Sequence, residues 1–264
     1  MPFLPSRCTA IMLCALLLPA SPAAARLLIF GEQHDQPDQQ RQVAAEVQAL
    51  AERGQLGAVV LEMADKPQRT NALARDASEA EVRDALQWKG WPWESYSAVV
   101  MNAVRAGVPV LGGNLPRQAM RGAMADTSLD ALVDAEVQGL LTDAVRNGHC
   151  KLLPASQEPG MVRIQIARDQ AMARVAVEAL HSAPAGSTVL LLTGAQHASR
   201  DRGVPRLLAR TDATLQVRVV MFGEATSGLV SDEWRPAVYT PQEDHCEALR
   251  KRLAAPPAAS TPAR

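Results

Sequence analysis

The chain has no Gly-x-Ser-x-Gly elbow, no glycine-rich phosphate loop, no His-Glu-x-x-His and no Cys-x-x-Cys pair. Those absences set aside the commonest serine-hydrolase, nucleotide-binding, zinc-protease and dithiol readings, each of which needs its residues at a fixed local spacing. Positive charge is not in excess: 27 Lys and Arg stand against 28 Asp and Glu. With no basic patch there is no electrostatic case for nucleic acid or for an anionic membrane surface. No apolar run reaches the roughly 20 residues that span a bilayer, so no transmembrane segment is expected in the mature chain. Internal repeats are also missing.

Cysteine is scarce, at four residues. Cys8 and Cys14 fall in an N-terminal stretch that reads as an export signal over residues 1–25. Arg7 is its only charge, Ala10 to Leu18 is apolar, Pro19 breaks the run, and Ala23-Ala24-Ala25 offers a small-x-small cleavage site. A lipid anchor on Cys14 is disfavoured, because Leu13 before it is not small. Localisation is therefore expected to be periplasmic or secreted. Cys150 and Cys246 remain as an even pair, which an oxidising compartment would join; two buried free thiols are the alternative.

Four short apolar runs carry the fold reading. Leu27-Leu28-Ile29-Phe30, Ala58-Val59-Val60-Leu61, Val108-Pro109-Val110-Leu111 and Val189-Leu190-Leu191-Leu192 lack the alternation of a half-exposed strand. Strands buried on both faces read this way, so the expected class is α/β: a central, mostly parallel sheet with helices on both faces. Each run ends in polar residues: Gly31-Glu32-Gln33-His34-Asp35, Glu62, Asn114-Leu115-Pro116-Arg117, and Gln196-His197. Ligands of such sheets bind beyond the carboxyl ends of the strands, so these groups are expected to converge on one rim.

The remaining organisation is helical. Asp38 is expected to cap a helix to about Arg53, a charged region over Gln68 to Gln87 reads as helix, and another helix runs from about Ser95 to Ala106. Residues 117–185 read as a helical insertion within a single domain over 26–253. It holds a helix from Ser128 or Asp130 toward Asn147 and a longer one from Met161 to His181. Leu215 to Phe222 is a fifth strand, Gly203 to Arg210 and Asp244 to Leu253 are helices, and Tyr239 lies near a possible edge segment. Residues 254–264 are Ala, Pro, Ser and Thr, for which disorder is expected.

Several groups could do chemistry. Glu32 and His34 supply the carboxylate and imidazole of an acid/base pair or of a metal-ligand pair, with Glu62 and His197 arriving at the same rim. In the metal reading His34 and His197 are the ligands. Asn114 and Arg117 flank the stiff Pro116 and suit recognition of a carboxylate; a loop-fixing salt bridge is the plainer alternative. Gln165 and Arg168, three apart, share a helix face with Asp169 adjacent, and Arg168 could neutralise Glu32 or Glu62. Trp88, Trp91, Trp93 and Tyr96 read first as packing and second as the wall of a ligand site.

These residues resemble the ChaN-like haem-binding family, within a wider group that includes erythromycin esterases and Tiki-type proteases. The matching elements are Gly31-Glu32-x-His34-Asp35, Leu61-Glu62-Met63, Trp93-x-x-Tyr96 and Asn114-Leu115-Pro116-Arg117. They continue with His149-Cys150, Gln165-x-x-Arg168-Asp169-x-x-Met172-Ala173, Gly194-x-x-His197 and Gly203-Val204-Pro205-Arg206. The resemblance runs from about Leu27 to Tyr239 and implies an exported α/β protein that binds haem and serves iron acquisition. Three departures stand out. Gln39-Gln40 occupy a stretch where relatives often carry histidine. Arg200 replaces an aromatic that can ligate iron. The lipidation signal is missing. Arg200 cannot coordinate iron, so His197, His149 or His34 would have to.

Two functions follow as expectations. In the first, haem binds with Trp91, Trp93, Tyr96 and Met101 as wall, His197 as ligand, and Arg117, Arg168 or Arg200 as cation for the propionates. In the second, a periplasmic hydrolase uses Glu32 or Glu62 with His34 to activate water, while His197 stabilises charge or donates a proton. An exported interaction module with a degenerate site is the plain third reading. A homodimer stays open as an assembly.

Overall fold

The computed structural model describes residues 24–34, 36–225 and 228–254. The expected export signal up to residue 23 and the expected tail from residue 255 lie outside the described residues. Six strands form one sheet: β1 Arg26–Glu32, β2 Leu56–Asp65, β3 Val110–Asn114, β4 Thr188–Gly194, β5 Val217–Phe222 and β6 Glu233–Arg235. Their order is β3-β2-β4-β1-β5-β6, and every neighbouring pair is parallel. Parallel neighbours need crossovers, and the helices supply most of them.

The apolar runs are continuous because each strand feeds two cores. On one face Phe30, Val59, Leu61, Leu190, Leu192 and Val220 pack against α1 (Pro37–Glu52) and α3 (Trp93–Arg105). On the other, Ile29, Val60, Leu191 and Val219 meet Met172, Ala176 and Leu180 of the 25-residue α6 (Glu158–Ser182) and Leu208 of α8 (Val204–Thr211). A third cluster joins Val137, Leu141 and Val145 of α5 (Ala135–Gly148) to Val162 and Ile166 of α6. The two short helices α2 (Glu79–Ala85) and α4 (Met120–Ala125) lie in the crossovers, α7 (Ala195–Ala198) follows β4, and α9 (His245–Ala254) comes last.

Four local expectations are corrected. Asp38 is not a cap: Pro37 opens α1, and the Asp38 carboxylate accepts from Gln42, Arg41 and the Val238 N–H, which hold it below the usual carboxylate range. The helix expected from Gln68 starts only at Ser78, where a capping box with Glu81 forms. The preceding stretch runs beside β3 instead, through Thr70 N–H to the Val110 carbonyl, Val110 N–H to Thr70 Oγ1 and Gly112 N–H to the Gln68 carbonyl. Ser128 to Asn147 is not one helix. Asp126 caps a 3-10 turn over Thr127–Leu132, Val133 is extended, and Asp134 caps α5 anew. The last strand is Glu233–Arg235 rather than a segment at Tyr239.

Close strand approach makes one glycine indispensable. A Cβ on Gly112 would lie 2.2 Å from the Asp65 carbonyl oxygen, whereas one on Gly122 in α4 meets nothing within 4 Å. Gly112→Ala is expected to lower stability by about 1–3 kcal/mol, as forced overpacking does. Gly122→Ala should raise it by about 0.5–1 kcal/mol through helix propensity. Urea denaturation of both variants checks the contrast.

Candidate functional site

Glu62, inside β2, is the centre of the rim and is 2% exposed. Its Oε2 accepts from Thr193 Oγ1 at 2.6 Å and from the Gly194 N–H at 2.7 Å, both at the end of β4. Its Oε1 is gripped by the Arg168 guanidinium from α6. His34 Nε2 and His197 Nε2 face that same Oε1 from either side, at 3.8 and 3.9 Å. Burial would raise this carboxyl. The charges of His197, Arg168 and His34 and the Thr193 hydroxyl prevail and hold it well below the usual carboxylate range.

Each imidazole is oriented from behind by a second carboxylate. His34 Nδ1 lies 3.0 Å from Glu32 Oε1 and His197 Nδ1 lies 2.6 Å from Asp169 Oδ1. Tyr96 donates to Glu32 Oε1 at 2.7 Å, and Gln40 donates to Glu32 Oε2 at 2.8 Å. For His34, burial favours loss of the proton. The hydrogen bond to Glu32 and the charges of Glu62 and Glu32 outweigh it and lift the imidazole above its ordinary value of 6.5. Burial lifts the Asp169 carboxyl, opposed by His197. Gly194 has ordinary extended backbone, so its glycine is needed for space rather than for a turn: a Cβ there would sit 2.9 Å from His34 Nε2.

Over this floor opens a crevice of about 780 Å³. Trp91, its ring 4.6 Å from that of His34, forms one wall. Leu141, Ala144 and Val145 of α5 with Leu229 make an apolar side, and His149 and His245 line the end where Cys150 and Cys246 are joined by a disulfide. Among the described residues no group of three His, Cys, Asp or Glu is placed to hold a metal ion. The cation facing the two imidazoles at Glu62 is the Arg168 guanidinium.

The structure thus gathers Glu32, His34, Glu62, His149, Arg168 and His197. Asn114 and Tyr96 serve behind them: Asn114 Oδ1 accepts from Arg168 Nε at 3.0 Å, and its Nδ2 donates to the Glu62 carbonyl. Other expected residues lie elsewhere. Arg117 is exposed in a 3-10 turn after β3 and is absent from the lining. Arg200 is bound to Asp232 and to the Val217 carbonyl. Trp93 is buried, edge-on to Trp88, and donates from Nε1 to Glu79. Met101 packs into the core on the α1 and α3 face. Asp169, read as part of the polar group on α6, backs His197, and Thr193, Gln40 and His245 join the site without having been singled out for it. The Cys150–Cys246 pairing was the one signal that pointed to His245, through its neighbour.

The charged floor has two testable consequences. Arg168→Met leaves the Glu62 carboxylate buried with one cation fewer, and should cost about 3–5 kcal/mol of stability, as breaking a buried ion pair does; chemical denaturation reads it. The His34 imidazole, raised in the folded state, adds stability that is complete below about pH 6.5 and is lost as pH rises through the raised value. The melting temperature of the wild type should therefore fall across that window relative to His34→Gln. Parallel pH curves for the two proteins would refute the assignment.

The comparison with curated proteins yields no match. Among solved structures, ChaN of Campylobacter jejuni, with cofacially bound haem, is similar over 83% of this chain and 89% of that chain, at 24% identity and TM-score 0.67. That likeness bears on the fold. A mutant of the erythromycin esterase EreC in its open conformation aligns over 87% of this chain and 80% of that one, at 15% identity and TM-score 0.46. The family described as haem-binding uptake, Tiki superfamily, ChaN, matches residues 19–208. The chain belongs to that family, and haem is the cofactor it brings.

Proposed function

We propose that the protein is exported, holds haem in the crevice above Glu62, and serves haem or iron uptake outside the cytoplasm. A haem pocket needs an apolar wall, a nitrogen donor and a cation or N–H donors for the propionates. The crevice of about 780 Å³ lies within the roughly 300–1,000 Å³ typical of small-molecule sites. Trp91, Leu141, Val145 and Leu229 are the wall, four imidazoles line the space, and Arg168 with Gln165 and Gln196 supplies N–H groups. This donor set fits the group. The bonded Cys150–Cys246 pair and the export signal read from residues 1–25 support an oxidising compartment. No helix among the described residues is long and apolar enough to cross a membrane.

The observation that carries the reading is an apolar-walled crevice with several imidazoles at the carboxyl edge of the sheet. Titration of the purified protein with hemin should shift the Soret band and saturate. Ala144→Trp, which fills the crevice from α5, should weaken binding at least tenfold while leaving the unfolding midpoint nearly unchanged. An unshifted wild-type spectrum would sink the proposal.

A second reading draws on the floor of the same crevice. Two imidazoles fixed by carboxylates across from Glu62 are a hydrolase-like arrangement. Glu62 is saturated with donors and held strongly acidic, which makes it a weak base, so the proton would move at His34 Nε2. Ester and peptide hydrolysis by the wild type, lost in Glu32→Gln and in His34→Ala, is the expected pattern in that case. Hydrolysis that persists in both variants excludes it.

A further inference from the structure

The four imidazoles of the crevice are not equivalent as iron ligands. His34 and His197 are aimed at the buried Glu62 carboxylate at 3.8 and 3.9 Å, so a porphyrin disc over either Nε2 would have to displace that carboxylate and its Arg168 partner. His197 is 6% exposed and is part of the crevice floor itself. His149 differs on each point. Its Nδ1 lies 2.7 Å from the Val145 carbonyl, an acceptor only, so Nδ1 carries the hydrogen and the neutral ring keeps its lone pair on Nε2. A backbone carbonyl behind the other ring nitrogen is, with a carboxylate or water, one of the usual supports of a metal-bound histidine. Among the described residues no carboxylate is bonded to the ring, and it lines the crevice beside the apolar Leu141, Ala144 and Val145.

The chain around His149 is clamped in an unusual way. Cys150 and Lys151 both have positive φ, 57° and 59°, although neither is glycine. Such strained backbone persists only where neighbours over-determine it, and it gathers at ligand clamps. Here Cys150 is joined to Cys246 on α9, and the adjacent His245 hydrogen-bonds from Nε2 to the Gly148 carbonyl at 3.0 Å. The disulfide thus brackets the crevice end with a lining histidine beside each cysteine. Resting on the haem reading above, we propose that His149 Nε2 is the axial ligand of the haem iron, and that the Cys150–Cys246 bridge with His245 holds it in place.

Ferric hemin complexes of the full oxidised chain test this by absorbance and electron paramagnetic resonance. The wild type should show an imidazole-ligand signature. His149→Ala should lose it, bind hemin at least tenfold more weakly, and regain the signature when free imidazole is added. His149→Tyr should show a tyrosinate charge-transfer band instead, which arises only if position 149 faces the iron. Wild-type spectra in both variants would overturn the ligand assignment while leaving haem binding intact; a wild type that leaves hemin unshifted overturns the haem reading itself. In Cys150→Ser/Cys246→Ser the signature should persist, with hemin passing to apomyoglobin at least tenfold faster. An unchanged transfer rate would overturn the role of the bridge.

Discussion

The buried carboxylate of Glu62 is the constraint on which the crevice depends. A charge in the interior is tolerated only when paired and hydrogen-bonded, and Glu62 meets that demand by recruiting from separate parts of the chain. Arg168 comes from α6, Thr193 and Gly194 from the end of β4, His34 from the loop beyond β1, and His197 from α7. Those partners need partners in turn, which draws in Asn114, Asp169, Glu32, Tyr96 and Gln40. The floor is rigid because removing a member leaves a buried partner unpaired.

That rigidity separates two regions of one crevice. The inner region is polar and closed around Glu62, whose two carboxylate oxygens both accept hydrogen bonds. The outer region, toward the end of α5, is apolar, and its imidazoles are supported by backbone carbonyls instead of carboxylates. Haem, with a flat apolar body and a metal centre, matches the outer region better than the inner one. In the proposed haem complex the inner region would act as a fixed polar base under the ligand.

Much of this was legible along the sequence, and for a physical reason. Strands buried on both faces leave continuous apolar runs, and a parallel sheet gathers their carboxyl ends at one rim, so the sequence alone brings Glu32, His34, Glu62 and His197 together. What failed was non-local. The polar stretch after Lys66 looked helical, yet its hydrogen bonds go to β3, more than thirty residues away. Pro116 does stiffen its loop, but stiffness does not set direction, and Arg117 turns outward. Trp93 opens α3 and is drawn toward Trp88 and Glu79, leaving Trp91, two residues earlier, to face the crevice. Gln40 looked like a lost histidine, while its amide meets Glu32 and two loop carbonyls at once.

The stretch that runs beside β3 has one more effect. An open strand offers a row of free N–H and C=O groups onto which a second chain can add itself. Here Gln68, Arg69 and Thr70 already occupy that position against Val110, Leu111 and Gly112, and at the opposite margin β6 is three residues long and carries Glu233 and Arg235. Neither margin invites strand addition, so the sheet ends within its own chain, and copies that meet would meet through helices and loops.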